Sequence, residues 1–170
     1  MHPQRLTMLP HLSVFLFSLA LLCTACSPPF PEKTLDTINK NLSFRAVWNT
    51  PEKFAGEWVL FGGVIIASKN TREGTILEIL QKPTDYKGRP LDTDASEGRF
   101  LVQSSNFLDT ALYQKGRLIT IVGEVLGSKE LPLDEVMYRY PLLALKDHHL
   151  WKPSYQGPRF FFGIGISHHI

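Results

Sequence analysis

Two apolar stretches of this chain each carry a glycine in their middle, and that pattern constrains its fold more than any other feature. In the first, Phe54 precedes Gly56, and seven residues on Gly63 interrupts a run rich in β-branched and aromatic side chains, Glu57 to Ala67. In the second, Tyr113 precedes Gly116, and seven residues on Gly123 interrupts Arg117 to Leu126. Each unit reads as a short helical turn stopped by glycine and leading into a strand. Thr50-Pro51-Glu52 supplies the helix start of the first, and Asp109 is placed to cap the second. A glycine inside a strand weakens it, so it marks a bulge or a sharp bend in a curled sheet.

Three further strands are expected: Thr75 to Leu80, Arg99 to Ser104, and Met137 to Trp151 with an interruption at Pro141. Between them lie Lys69-Asn70, Lys87 to Pro90 and Glu97-Gly98, all turn chemistry. Five or six strands, two of them long and bent, predict an all-β fold with one or two short helical turns. The architecture expected is a small antiparallel barrel of the oligonucleotide/oligosaccharide-binding (OB) kind. An open antiparallel sheet is the alternative. Residues 34–48 are expected to hold one short helix followed by a strand ending near Trp48.

The start of the chain is of another character. Arg5, with His2 and His11, precedes an eleven-residue apolar run from Leu12 to Leu22. That is too short to span ~30 Å of hydrocarbon but typical of a secretory signal. Cys23-Thr24-Ala25-Cys26 follows, with small residues just before Cys26, and resembles the lipobox of bacterial lipoproteins. Cys23 stands where the consensus has Leu. Leu22 is too bulky to allow cleavage before Cys23 itself, so residues 1–25 are read as a signal peptide. Cys26 then carries diacylglycerol and an N-acyl chain, and no other cofactor is expected. The Cys23-x-x-Cys26 spacing also suits a redox pair, but the pair closes an apolar run with no preceding fold to support it. Ser27 is not Asp, and by the sorting rule of enteric bacteria this sends the protein to the outer membrane.

Removing residues 1–25 leaves 145 of the 170, enough for one domain that folds without staples. Once Arg5 is gone, 17 Lys and Arg face 16 Asp and Glu, which argues against bulk nucleic-acid binding. Residues 26–43 are read as lipidated terminus and tether, its Pro-rich part at 27–33 extended. Residues 44–152 are the barrel domain, and 153–170 an aromatic and glycine-rich tail containing Phe160 to Ile166.

Ordered blocks within 44–152 are similar to the Slp (starvation lipoprotein) family of outer-membrane lipoproteins. They are Phe54-Ala-Gly-Glu-Trp-Val-Leu-Phe-Gly-Gly-Val-Ile65, Gly74 to Leu80, Gly98 to Leu101, Phe107 to Tyr113, Gly116 to Gly123, and His149-Leu-Trp151. Pro83-Thr84-Asp85 and Leu108-Asp109-Thr110 depart from the family's usual Pro-Leu-Asp and Leu-Asp-Pro, in turns. The resemblance implies an outer-membrane lipoprotein with a soluble β domain, associated with starvation or envelope stress; with the anchor at Cys26, the domain is expected on the periplasmic face. The resemblance brings no catalytic residues.

Nothing in the residues adds any. There is no Gly-x-Ser-x-Gly elbow, phosphate loop or His-Glu-x-x-His helix, and Asp134-Glu135 are neighbours on a loop. Asp92-x-Asp94-x-Ser96 resembles the start of a calcium loop, but Gly98 is seventh rather than sixth and Gln103 occupies the twelfth position. His148, His149, His168 and His169 are candidate metal ligands, the basis of an alternative reading as a periplasmic metal-binding protein or metal-dependent enzyme. Adjacent strand residues face opposite ways, so one pair rarely serves one ion. Trp58, Tyr138, Tyr140 and Trp151 are the candidate aromatics of a binding face. The expectation is therefore a non-enzymatic lipoprotein whose barrel face meets an envelope protein or glycan.

Overall fold

The computed structural model describes residues 29–153. Cys26, His168, His169, the signal segment and the tail beyond Pro153 lie outside them. The element order is α1 (Glu32–Thr37), α2 (Phe44–Asn49), a 3-10 helix (Pro51–Phe54), then β1 (Trp58–Thr71), β2 (Gly74–Lys82), β3 (Arg99–Ser104), β4 (Leu118–Leu133) and β5 (Val136–Leu150). The five strands close into a barrel in the order β1-β2-β3-β5-β4, with β4 returning to β1. This is the OB-like barrel expected. Its pairings are antiparallel except one: β3 and β5 run parallel, Leu101 opposite Leu142. Closing five strands in this order brings two strands of the same direction together, which a purely antiparallel reading leaves out.

The register shifts fall near the two mid-strand glycines but not on them: Gly63 is in regular register with Gln81, and at Gly123 the extra residue is Lys146 on β5. β1 shifts register between Ile65 and Ala67, and β4 shifts against β5 at Val122/Gly123 and again at Val125/Gly127. Gly63 has a steric reason instead, since a Cβ there would sit 2.3 Å from the Leu80 carbonyl oxygen of the neighbouring strand. Pro141 does not interrupt β5. It stands just before β3 joins, where β5 has a partner on one side only, a position that tolerates a strand proline.

The barrel interior is filled. Val59, Ile65, Leu77, Ile79, Phe100, Val102, Ile119, Ile121, Val125 and Leu143 are buried in one cluster. One end is plugged by α2, whose Phe44 packs edge-on against Phe61 (5.1 Å between centroids) and Phe100 (5.7 Å). Each such side chain contributes roughly 1.5–3 kcal/mol by leaving water. The strand expected to end near Trp48 is therefore a helix. Ser43 caps it by accepting from the Ala46 N–H at 3.2 Å, and Phe44 and Val47 form its buried face. The tether is also not extended throughout, because Phe30 is 5% exposed and α1 starts at Glu32. The opposite end is covered by the β3–β4 connection, residues 105–117, with Leu108 and Tyr113 packed on the core. There the Asp109 carboxylate accepts from the Ala111 N–H at 2.9 Å, and Gly116 takes φ +89°.

Candidate functional site

The β2–β3 connection, residues 83–98, is long for a barrel of this size and folds back over the outer face of β1 and β4. Two residues make this possible. Gly62, outward on β1, leaves room for Thr84 and Pro90, which lie 2.3 and 3.2 Å from where a Cβ would stand. Asp85 turns the loop by accepting from the Lys87 and Arg89 N–H groups at 2.8 and 2.9 Å. The loop is then latched: Thr120, fully buried on the outer face of β4, donates to the Gly88 carbonyl and accepts from the Trp151 indole N–H at 2.9 Å. Arg89 stacks over the Trp151 ring at 5.2 Å, and His149 packs edge-on against it at 4.4 Å.

Beside this latch opens a cleft of about 430 Å³, lined by Lys82, Asp92, Asp94, Arg117 and Lys152 among others. Arg117 is oriented by two carbonyls, donating from Nη1 to Leu112 at 3.3 Å and from Nη2 to Trp151 at 3.0 Å, while its buried Nε–H meets no acceptor. Lys82 donates to the Thr93 carbonyl at 2.6 Å, which draws the loop across. The ion pairs among the described residues are Arg45–Glu97, Arg99–Glu78 and Lys146–Glu124. None involves the cleft. Among the described residues its three cations and two carboxylates form no ion pairs with one another, and Lys82 and Arg117 are held by main-chain carbonyls.

The candidate aromatics are not gathered on one face. Tyr138 and Tyr140 stack edge-on at 4.6 Å, and the Tyr138 hydroxyl accepts from the Trp48 indole and the Arg99 N–H, both at 3.1 Å. The Tyr140 hydroxyl donates to Glu78, and burial raises its pKa above the usual phenol value. The Glu78 carboxylate holds Arg99 at 2.7 Å and raises its pKa in turn. Trp58 stands elsewhere, under Lys146 at 5.3 Å, and Lys146 pairs with Glu124 at 2.6 Å. Trp151 alone adjoins the cleft.

The histidines divide as strand geometry requires. His148 pairs opposite Ile121 and faces the covered end of the barrel, where Nε2 and the Tyr113 hydroxyl are 2.6 Å apart. Burial lowers its pKa below the ordinary histidine value. His149 pairs opposite Thr120 and faces out. Among the described residues no group of three or more His, Cys, Asp or Glu is placed to hold a metal ion. Asp92 and Asp94 line the cleft without forming a calcium loop. Arg89, Thr120 and Arg117 escaped the sequence reading because the partners that place them lie 31–34 residues away for Thr120 and Arg117, and farther still for Arg89 on Trp151, and no local pattern announces them.

Residues 23–163 match the Outer membrane lipoprotein Slp family. The chain belongs to that family. It is 32% identical over 138 residues to the outer membrane protein Slp of Escherichia coli K12, covering 80% of this chain and 72% of that one. It is 28% identical over 110 residues to an uncharacterized lipoprotein, YeaY, of the same organism, covering 65% of this chain and 56% of the relative. Among solved structures, a small single-stranded DNA-binding protein of Streptomyces coelicolor aligns with TM-score 0.34 and 12% identity, over 55% of this chain and 92% of that one. Membership makes this an Slp-type outer-membrane lipoprotein. Nothing in the family or in the site supplies positive evidence of catalysis.

Proposed function

We propose that this lipoprotein is held in the outer membrane by acyl chains on Cys26, faces the periplasm, and binds an envelope protein or glycan without catalysing a reaction on it. The observation that carries the reading is the cleft. The barrel interior is solid, so a ligand must bind outside, and the cleft gathers charges of both signs, with no ion pair among the described residues, beside a loop latched by Trp151. A multiply acylated cysteine is a durable anchor, since each buried CH₂ adds about 0.8 kcal/mol. A role in starvation or envelope stress accords with the family's character.

A photoreactive amino acid at Thr93, on the cleft rim, tests the binding role in intact envelopes. A reproducible adduct that is lost when Asp94→Asn and Lys152→Gln are added is expected; adducts no different from those of a probe at Lys69 count against it. Elemental analysis of the purified protein tests the histidine alternative, which requires stoichiometric metal. Cys26→Ala is expected to abolish acylation and leave the precursor uncleaved, read by mass spectrometry and gel mobility, and normal maturation of that variant would refute the anchor.

A further inference from the structure

The β4–β5 hairpin outgrows the barrel. The pairing of β1 with β4 ends at Trp58–Glu124, and β3 joins β5 only at Leu142. Residues 127–133 and 136–141 therefore form a two-stranded ribbon outside the closed sheet, of which the part beyond Leu131 and Tyr138 projects about 10 Å at ~3.3 Å per residue. Near the barrel it is buttressed, by Trp48 on Tyr138, Glu52 on Ser128, and the Asn49 carbonyl on Arg139 at 2.7 Å. Beyond Tyr138 nothing described supports it, although a bare two-stranded ribbon is only marginally stable in water. Its last three cross-strand pairs are mostly apolar even so, behind an acidic turn at Asp134 and Glu135. Leu131 pairs with Tyr138, Pro132 with Met137 and Leu133 with Val136, and Val136 and Met137 are 61% and 64% exposed.

The amino-terminal segment enters the barrel at the same end. The Asn39 N–H donates to the carbonyl of Trp58, the first residue of β1, at 2.8 Å, and Leu35 and Ile38 line a shallow groove with Leu60. Upstream, Phe30 is buried, and Cys26 is four residues before it, a span of at most about 14 Å. A cysteine anchored in a lipid surface thus keeps Phe30 close to that surface, and ties the barrel end met by Asn39 to it through thirteen residues of chain.

We propose that the tip of the β4–β5 ribbon rests in the lipid surface to which Cys26 is attached, giving the domain a second contact that fixes its orientation. The proposal depends on the acylation of Cys26 argued above. Lys129 and Arg139 are outnumbered by Glu130, Asp134 and Glu135 on the ribbon, so the contact is apolar and gains nothing from anionic lipid. With Asp134 and Glu135 at the apex, the ribbon lies along the headgroups on the face that carries Leu133 and Val136, Met137 facing the other way, and does not plunge between the acyl chains.

The acylated mature chain carries no other cysteine than Cys26, so Val136→Cys and, at the far hairpin, Lys69→Cys each take a single environment-sensitive fluorophore. Each labelled protein is reconstituted in phosphatidylcholine vesicles, with and without phosphatidylglycerol, and titrated with doxyl-labelled lipid. Blue-shifted emission and several-fold stronger quenching at position 136 than at 69, in both compositions, is the expected result. An acylated Cys26 with equal quenching at the two positions overturns the ribbon contact alone. Protection of the 136 probe that grows with protein concentration, without lipid quenching, overturns it in favour of a second copy. A mature protein whose mass shows no acyl chain overturns the anchoring on which the proposal rests.

Discussion

Gly63 and Gly123 occupy equivalent places in two similar strands, but their surroundings differ. A Cβ on Gly63 would meet a backbone oxygen at 2.3 Å, which cannot move without opening the β1–β2 ladder. On Gly123 the nearest atom is the Leu143 Cβ at 3.1 Å, and a few tenths of an ångström relieve it. Gly63→Val is therefore expected to destabilise by more than about 2 kcal/mol and Gly123→Val by roughly 1 kcal/mol; denaturant midpoints that order the two the other way would contradict the assignment. His148 makes a second residue-scale prediction. Its folded pKa is lowered by burial from the ordinary value of about 6.5, so below that pH the unfolded chain binds a proton that the folded chain refuses. Its contribution is whole above pH ~6.5 and is lost as pH falls through that value toward the folded pKa. Thermal melts from neutral to mildly acidic pH should show a declining midpoint, and His148→Gln should flatten that decline whatever its own baseline.

Among the elements, α2 carries the clearest mismatch between local pattern and outcome. Phe44-Arg-Ala-Val-Trp48 alternates well enough to pass for a strand, and its aromatic and β-branched residues favour one. Two other facts decide for the helix: the Ser43 cap, and the three-residue spacing of Phe44 and Val47, which puts both on one face over the open end of the barrel. Phe44→Ala should cost about 3–5 kcal/mol, since it removes a buried ring packed edge-on against both Phe61 and Phe100. Ser43→Ala, which removes only the cap, should cost about 1 kcal/mol. Equal losses in chemical denaturation would mean that the plug owes its stability to its start and not to its packing.

At the scale of the molecule, a solid barrel pushes everything distinctive onto its outside: the latched β2–β3 loop, the charged cleft and the projecting ribbon. Trp151 joins two of the groups that hold the middle of the loop, Thr120 and Arg89. Trp151→Leu removes the donor to Thr120 and the surface under Arg89 while leaving the barrel core intact. Limited proteolysis should then cut first within residues 83–98, with the melting temperature little changed; cleavage spread over the strands would show that Trp151 supports the barrel itself.

The sequence by itself determined the leader pattern and candidate lipobox, the number and approximate places of the strands, and that the two long strands carry a glycine at mid-length, but the register shifts that curl them lie at neighbouring residues. Family membership was equally legible, because ordered blocks of strand and turn survive as local text. Which aromatics face a ligand was not. Trp58, Tyr138, Tyr140 and Trp151 look alike in sequence, but the fold spends Tyr138 and Tyr140 on Trp48, Glu78 and Arg99, covers Trp58 with Lys146, and leaves only Trp151 beside the cleft. Periodicity reports which side of its own strand a residue faces. What meets it there depends on register shifts and on a loop folding back across other strands, and these contacts arise only when the barrel closes.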